Sequence, residues 1–151
     1  LATTKKEILQ AYSKGSIVAV GNNAPRFILP DSQGQLRDFV QYKGNDILLV
    51  FGNTSCQHCM ERIPLLEKLH SQEVPGAMKV VFVAIGDTIQ SVNKFIELTG
   101  ASFDFLIDNY GLTGNIYNVT YLPEAFLIDS EGIIQGSTRT DGSSLWQFLS
   151  G

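Results

Sequence analysis

The sequence predicts an α/β fold built on a mixed central sheet with helices on both faces. Three observations carry the prediction. An apolar run, Ile47 to Phe51, leads through a short polar turn into a segment where Met60, Ile63, Leu66 and Leu69 recur at helical spacing. A second run, Lys79 to Gly86 (KVVFVAIG), is almost continuously β-branched, as suits a parallel strand covered on both faces. Near the end, Ala125 to Asp129 and Ile133 to Ser137 flank the turn Ser130-Glu131-Gly132, an antiparallel hairpin. Alternating strands and helices closed by a hairpin imply a mixed sheet.

The elements follow in order. Thr3 or Thr4 is placed to cap a short helix through Ser13 with Ile8, Leu9 and Tyr12 as its apolar stripe. Phe27 to Leu29 and Leu36 to Phe39 flank the turn Pro30 to Gly34 and predict a β-hairpin ahead of the main sheet. Tyr42-Lys43-Gly44-Asn45-Asp46 returns the chain to the buried strand, and Val74-Pro75-Gly76 stops the helix that follows it. Asp87 or Thr88 caps the next helix, whose inward face takes Ile89, Val92, Phe95, Ile96 and Leu98 and which ends at Gly100. Phe103 to Ile107 is a short strand, and 109–118 holds one or two helical turns. Leu145, Trp146, Phe148 and Leu149 lie on a last helix beginning near Asp141.

Composition sets the outer limits. A chain of 151 residues that is 44% hydrophobic can bury one core, so a single domain over residues 1–151 is expected, with 1–20 as a helical extension to a core over 21–151. A net charge of −4 supplies no basic stripe for nucleic acid. No apolar run approaches the roughly 18 residues of a membrane span. The chain opens at Leu1, which leaves room for a signal or an N-terminal membrane anchor ahead of it.

The only two cysteines, Cys56 and Cys59, fall at the strand-to-helix turn. Cys56 is then at a helix N-terminus, where free backbone N–H groups and the positive end of the macrodipole stabilise a thiolate. Cys59, three residues on, lies almost one helical turn away, so the two sulfurs can close a small ring. This assigns Cys56 as nucleophile and Cys59 as resolving thiol. A structural zinc needs about four ligands, and His58 and His70 alone would have to complete it, which disfavours that alternative. A purely structural disulfide closing so short a loop would remove little entropy from the unfolded chain.

Further words accompany the cysteine pair: Ala24-Pro25-Arg26-Phe27 with Leu29 and Asp31, Gly34, Tyr42-Lys43-Gly44, Pro64 with Leu66-Glu67-Lys68-Leu69, Tyr117-Asn118-Val119, and Leu122-Pro123 with Phe126-Leu127-Ile128-Asp129 and Glu131-Gly132. In this order they resemble the thioredoxin superfamily, and more closely the TlpA/ResA-like thiol-disulfide oxidoreductases, relatives of the AhpC/TSA redoxins. The resemblance implies a thioredoxin-like fold and a cis Leu122–Pro123 peptide facing the cysteine turn. A partner chain would pair there as a short strand, with Leu122, Gln57 and Ser55 touching it. It further implies exchange with protein dithiols and disulfides, an upstream thiol donor such as a membrane disulfide reductase, and no cofactor or metal. The implied setting is extracytoplasmic, in the periplasm or on the outer face of a bacterial cytoplasmic membrane, in work of the cytochrome c maturation kind.

The chain also departs from that pattern. The family's Trp before the first cysteine is Ser55 here, and its usual Glu two residues before the helix proline is Arg62. The family's Thr after the cis-proline is Glu124. One expectation is therefore that Glu124 and Arg62 have exchanged roles as an ion pair across the site, with Glu124 as proton acceptor for Cys59. His58, just before the second cysteine as in the strongly oxidising DsbA-type proteins, is expected to favour the Cys56 thiolate by hydrogen bond or charge and to raise the reduction potential. His70 is expected at the surface or as a charge complement to the helix end. Two rival functions remain. A peroxiredoxin-like peroxidase is disfavoured because the Pro and Thr of its P-x-x-x-T-x-x-C motif are Leu49 and Asn53 here. A non-enzymatic thioredoxin-fold binding module would not need the thiols.

Overall fold

In the computed structural model the described residues are 18–72, 77–141 and 144–150. The helix expected through Ser13 and the stop at Val74-Pro75-Gly76 lie outside them. The elements are β1 (Ile28–Pro30), β2 (Leu36–Asp38), a 3₁₀ turn (Phe39–Tyr42), β3 (Ile47–Gly52), α1 (Gln57–His70), β4 (Lys79–Ile85), α2 (Ile89–Thr99), β5 (Asp104–Asp108), α3 (Leu112–Ile116), β6 (Glu124–Ile128), β7 (Ile134–Ser137), α4 (Thr138–Asp141) and α5 (Ser144–Ser150). The main sheet runs β5-β4-β3-β6-β7, with β3 at its centre. β3, β4 and β5 are parallel, while β6 and β7 join antiparallel. β1 and β2 form the expected antiparallel hairpin. This is the thioredoxin-like mixed sheet that the sequence predicts.

The strand period of two decides what each side of the sheet carries. Leu48 and Val50 of β3, Phe82 of β4, Phe105 of β5 and Ala125 of β6 face α1, α2 and α5, which contribute Cys59, Ile63, Leu66, Val92, Phe95 and Trp146. Ile47, Leu49 and Phe51 point the other way, with Val81, Val83, Leu106, Phe126 and Ile128. There they meet Phe27 and Phe39 from the hairpin region and Tyr117 after α3. Phe51 packs on Tyr117 at 5.0 Å between ring centroids and on Phe126 at 5.9 Å. Every residue of β3 is buried. That accounts for its unbroken apolar run, because no solvent face exists to require alternation.

Three apolar positions differ from expectation. The buried stripe of α1 is Cys59, Ile63 and Leu66, leaving Met60 exposed. At about 100° per residue Met60 lies off a stripe that Cys59 itself occupies. Leu98 is 72% exposed for the same reason, since Val92 and Phe95 define the buried face of α2. Phe148 is exposed while Trp146 of the same helix is buried. Of the two candidate caps for α2, Thr88 is the one used, in a reciprocal box with Ser91, and Gly100 closes the helix in the left-handed region. His70 is half-buried in the last turn of α1. Its Nδ1 accepts the Val80 N–H at 3.1 Å, tying the end of α1 to β4.

Gly52, the last residue of β3, is where sheet and site meet most closely. A Cβ there would overlap the Phe82 ring and stand 3.0 Å from Cys59 Sγ. The missing side chain is what lets the buried sulfur and the Phe82 ring lie against the strand end. Gly52→Ala is expected to cost about 1–3 kcal/mol by overpacking, measured by urea denaturation. Gly136→Ala, where a Cβ meets nothing within 4 Å, should stay within about 0.5 kcal/mol of the parent.

Candidate active site

The site is assembled where three parallel strands end together. β3 leaves the sheet at Gly52 and turns through Asn53, Thr54 and Ser55 into α1. Its neighbours β4 and β5 end beside it at Ile85 and Asp108, so the loops after all three are brought side by side. The turn is braced by side chains acting as backbone substitutes. Asn53 Oδ1 accepts the Ser55 N–H at 2.7 Å, and its Nδ2 donates to the Ile85 carbonyl at 2.6 Å. The Asn53 carbonyl accepts the Cys56 N–H at 3.1 Å. Asp87 accepts from Thr54 N–H at 3.0 Å, Thr54 Oγ1 at 2.5 Å and Ser91 Oγ at 2.9 Å. Asn109 Nδ2, from the loop after β5, donates to the Asp87 carbonyl at 3.0 Å. Asp87 is only 5% exposed. A buried carboxylate with three donors is well compensated and acts as the bolt of the turn.

This bracing delivers Cys56 to the N-cap of α1 in extended backbone conformation, with its Sγ accepting the Cys59 N–H at 3.2 Å. The sulfur thus takes the position usually filled by a Ser or Asp oxygen, and it bonds an amide that the helix leaves without a partner. A thiolate gains most there, because the hydrogen bond and the dipole both favour negative charge. Both cysteines are free thiols. Cys56 is partly exposed and Cys59 fully buried, enclosed by the core that also holds Leu48, Val50 and Phe82. Burial first, and then the hydrogen bond with Cys56, push the Cys59 thiol up to about 12. One sulfur is reachable and caps the helix; the other is enclosed and held protonated.

The remaining predicted residues are distributed unevenly around this pair. Ser55, Gln57 and His58 are exposed around Cys56. The Leu122–Pro123 peptide is cis, with Pro123 buried and Leu122 packed against both cores at the rim of the sheet. His58 turns outward: its Nδ1 lies 3.4 Å from Glu61 Oε2, and the hydrogen bond received by Cys56 comes from the backbone instead.

The expected Glu124–Arg62 pair is not formed. Glu124 lies opposite Phe51 in the β3–β6 register, so its side chain enters the Phe51 face of the sheet while Cys59 lies on the other. It is fully buried and pairs with Arg139 at 2.5 Å. Burial raises its pKa, against the lowering effect of Arg139. Arg62 instead spreads over the Trp146 ring of α5, 4.8 Å from its centroid. A cation–π contact thus takes up the side chain that replaces the family's Glu. Asp87 and Arg139 were not among the residues singled out from sequence for the site. The signal for Asp87 was its place just after Gly86, at the end of a strand parallel to β3.

A sulfur that caps a helix, with a buried second sulfur one turn along and a cis-proline loop at the rim of a thioredoxin-like sheet, defines a thiol:disulfide oxidoreductase. Comparison with known proteins agrees. Residues 20–137 match the AhpC/TSA family, and the chain belongs to it. It is 33% identical over 124 residues to the thiol-disulfide oxidoreductase ResA of Geobacillus kaustophilus, covering 82% of this chain and 71% of that protein. To ResA of Bacillus subtilis it is 28% identical over 115 residues, covering 76% and 64%. A solved thiol-disulfide oxidoreductase from Bacteroides fragilis shares the fold with a TM-score of 0.71 at 22% identity, over 85% of this chain and 98% of that one. So does a secreted disulfide oxidoreductase of Mycobacterium tuberculosis, described as homologous to Escherichia coli DsbE. Its TM-score is 0.64 at 21% identity, over 72% and 79%.

Two outcomes follow from this geometry. Asp87→Ala frees the turn ahead of Cys56 and is expected to cost about 2–4 kcal/mol, the scale of losing hydrogen bonds to a buried charged acceptor. Urea denaturation measures the loss, and the alkylation rate of Cys56 should change with it. The Cys59 thiol, raised by burial, must lose its proton before it can attack. The decay of a mixed disulfide at Cys56 should therefore accelerate by about tenfold per pH unit between roughly pH 6 and 9, following the thiolate fraction. A flat profile in stopped-flow measurements would contradict this assignment of the two sulfurs.

Proposed function

We propose that this protein is a reductant of protein disulfides in the bacterial cell envelope, of the kind that keeps apocytochrome c or related thiols reduced. The observation that carries the chemistry is the inequality of the two sulfurs: Cys56 Sγ accepts a helix N-terminal amide at 3.2 Å, while Cys59 is wholly buried. The Cys56 thiolate attacks one sulfur of a substrate disulfide and displaces the other as a thiolate, which takes up a proton. Cys59 then gives its proton to solvent and attacks Cys56 Sγ, releasing the second substrate thiolate. Two electrons pass to the substrate and a Cys56–Cys59 disulfide remains. An upstream dithiol donor, such as a membrane disulfide reductase, restores it.

The docking edge in this proposal is the Leu122–Pro123 segment, against which a substrate strand pairs while Ser55 and Gln57 border the reacting sulfur. The envelope setting is supported by similarity to ResA and to a protein described as secreted. Leu49 and Asn53 stand where a peroxidase would carry Pro and Thr, and Asn53 is committed to bracing the turn. That favours disulfide exchange over peroxide reduction.

His58 acts on the couple only weakly in this proposal, because its imidazole is 79% exposed and set toward Glu61. The test is the equilibrium reduction potential in glutathione buffers. The expected value lies nearer the about −270 mV of thioredoxin than the about −120 mV of DsbA, and His58→Ala should move it by less than about 30 mV. A value near that of DsbA, falling sharply on substitution of His58, would make the protein an oxidant. In intact cells producing the full-length protein, a membrane-impermeant maleimide should label Cys56. Labelling only after lysis would refute the envelope assignment.

A further inference from the structure

The loop 119–123 between α3 and β6 carries the docking edge, yet Thr120 and Tyr121 in it are exposed. Val119 and Leu122 pack on the cores and the Val119 N–H donates to the Gly114 carbonyl at 2.9 Å, while the polar ties across the loop come from residues just after β7. Arg139 Nη2 lies within hydrogen-bonding distance of three acceptors: the Tyr117 carbonyl at 2.5 Å, the Asn118 carbonyl at 2.9 Å and Glu124 Oε1 at 2.5 Å. The first two precede the loop and the third follows it, so one guanidinium ties both ends together. Thr138 adds two further points, its carbonyl accepting Tyr121 Oη–H at 2.9 Å and its Oγ1 accepting the Ala125 N–H at 3.0 Å. At the first tied end the chain turns through Asn118, whose φ of 54° makes it the one non-glycine residue with positive φ among those described.

Stability alone gives little reason for this arrangement. Glu124 is 0% exposed and its Oε2 has no hydrogen-bond partner. A buried ion pair recovers its desolvation cost only when its geometry is good and its remaining lone pairs are satisfied. The best-attested use of such a pair is to specify one geometry over others. Here the geometry specified is the span between residue 118 and residue 124.

We propose that Arg139 is a positioning residue for substrate docking: by clamping Tyr117, Asn118 and Glu124 it holds loop 119–123 in the shape that a polypeptide substrate must meet. The proposal rests on Leu122–Pro123 being the docking edge. A loop left free would have to be ordered by each incoming chain, and binding would bear that cost. A small disulfide needs only the Cys56 sulfur and does not meet the loop.

The test is single-turnover oxidation of the fully reduced protein by two disulfides, insulin and 5,5′-dithiobis(2-nitrobenzoate), in the parent and in Arg139→Lys and Arg139→Met/Glu124→Gln variants. The double variant removes the carboxylate together with the guanidinium, so no unpaired buried charge remains to unfold it. The half-saturation concentration for insulin is expected to rise about tenfold in the double variant, a modest loss on the affinity scale. It should rise less in Arg139→Lys, which keeps a cationic donor but at a shorter reach than Nη2. The saturating rate with insulin, the rate with the small disulfide and the reduction potential should stay within about twofold or unchanged. An unchanged insulin half-saturation in a folded double variant, or a parallel fall with the small disulfide, would overturn the proposal. Leu122→Asp separates its two layers. If that variant weakens insulin binding and the Arg139 variants do not, the clamp alone is wrong; if none of them does, the docking edge is wrong too.

Discussion

The hydrogen bond from the Cys59 N–H to Cys56 Sγ is the contact on which the site depends. It exists only if Cys56 sits outside the helix in extended conformation while Cys59 is already in its first turn. That in turn requires a strand to end and a helix to begin within a few residues, with the intervening turn held. The central strand secures the first condition through burial, because all six of its residues are enclosed and their exit point cannot slide without exposing apolar area. Asn53, Thr54 and Asp87 secure the second through hydrogen bonds. The sulfurs differ in exposure because one lies just before the helix and the other just inside the core, a separation of a single turn.

The same period-two alternation that builds the core also decides which charges can reach the sulfurs. On β6 the cis-proline lies at the strand entry, and the very next residue, Glu124, is aligned with Phe51 and therefore committed to the far face. A carboxylate adjacent in sequence to the rim is thus separated from Cys59 by the sheet itself. Val50, which does face α1, is apolar and cannot take a proton. No side chain of β6 therefore offsets the burial that raises the Cys59 thiol.

Most of the fold was legible from the sequence because its signals are local. Two unbroken apolar runs, a turn at 130–132 and a cysteine pair at a helical start each report on their own neighbourhood. What sequence spacing could not resolve was rotation and pairing between elements. Met60 and Leu98 fit a loose helical pattern but lie off the stripe once Cys59 and Phe95 define it. The expected Glu124–Arg62 pair failed because it joined residues by their nearness to one motif, without the register that assigns each to a face. Arg139 gave no local signal at all. It lies in the short helix α4 after the last strand, and its three partners are 15 to 22 positions away.

The rim of the sheet is therefore held by two polar assemblies of opposite sign. On the β4 side the carboxylate of Asp87 gathers donors from the cysteine turn; on the β7 side the guanidinium of Arg139 gathers carbonyls flanking the cis-proline loop. Hydrophobic burial of Val119 and Leu122 anchors the second loop but has no direction with which to aim a backbone edge. Hydrogen bonds to a fixed charge do have direction, and a planar guanidinium can fix two chain segments relative to each other. A redox site open to large partners must leave its reactive sulfur exposed and still present a defined edge. In this chain the core supplies the platform, and the two charged clamps on either side of Cys56 supply the definition.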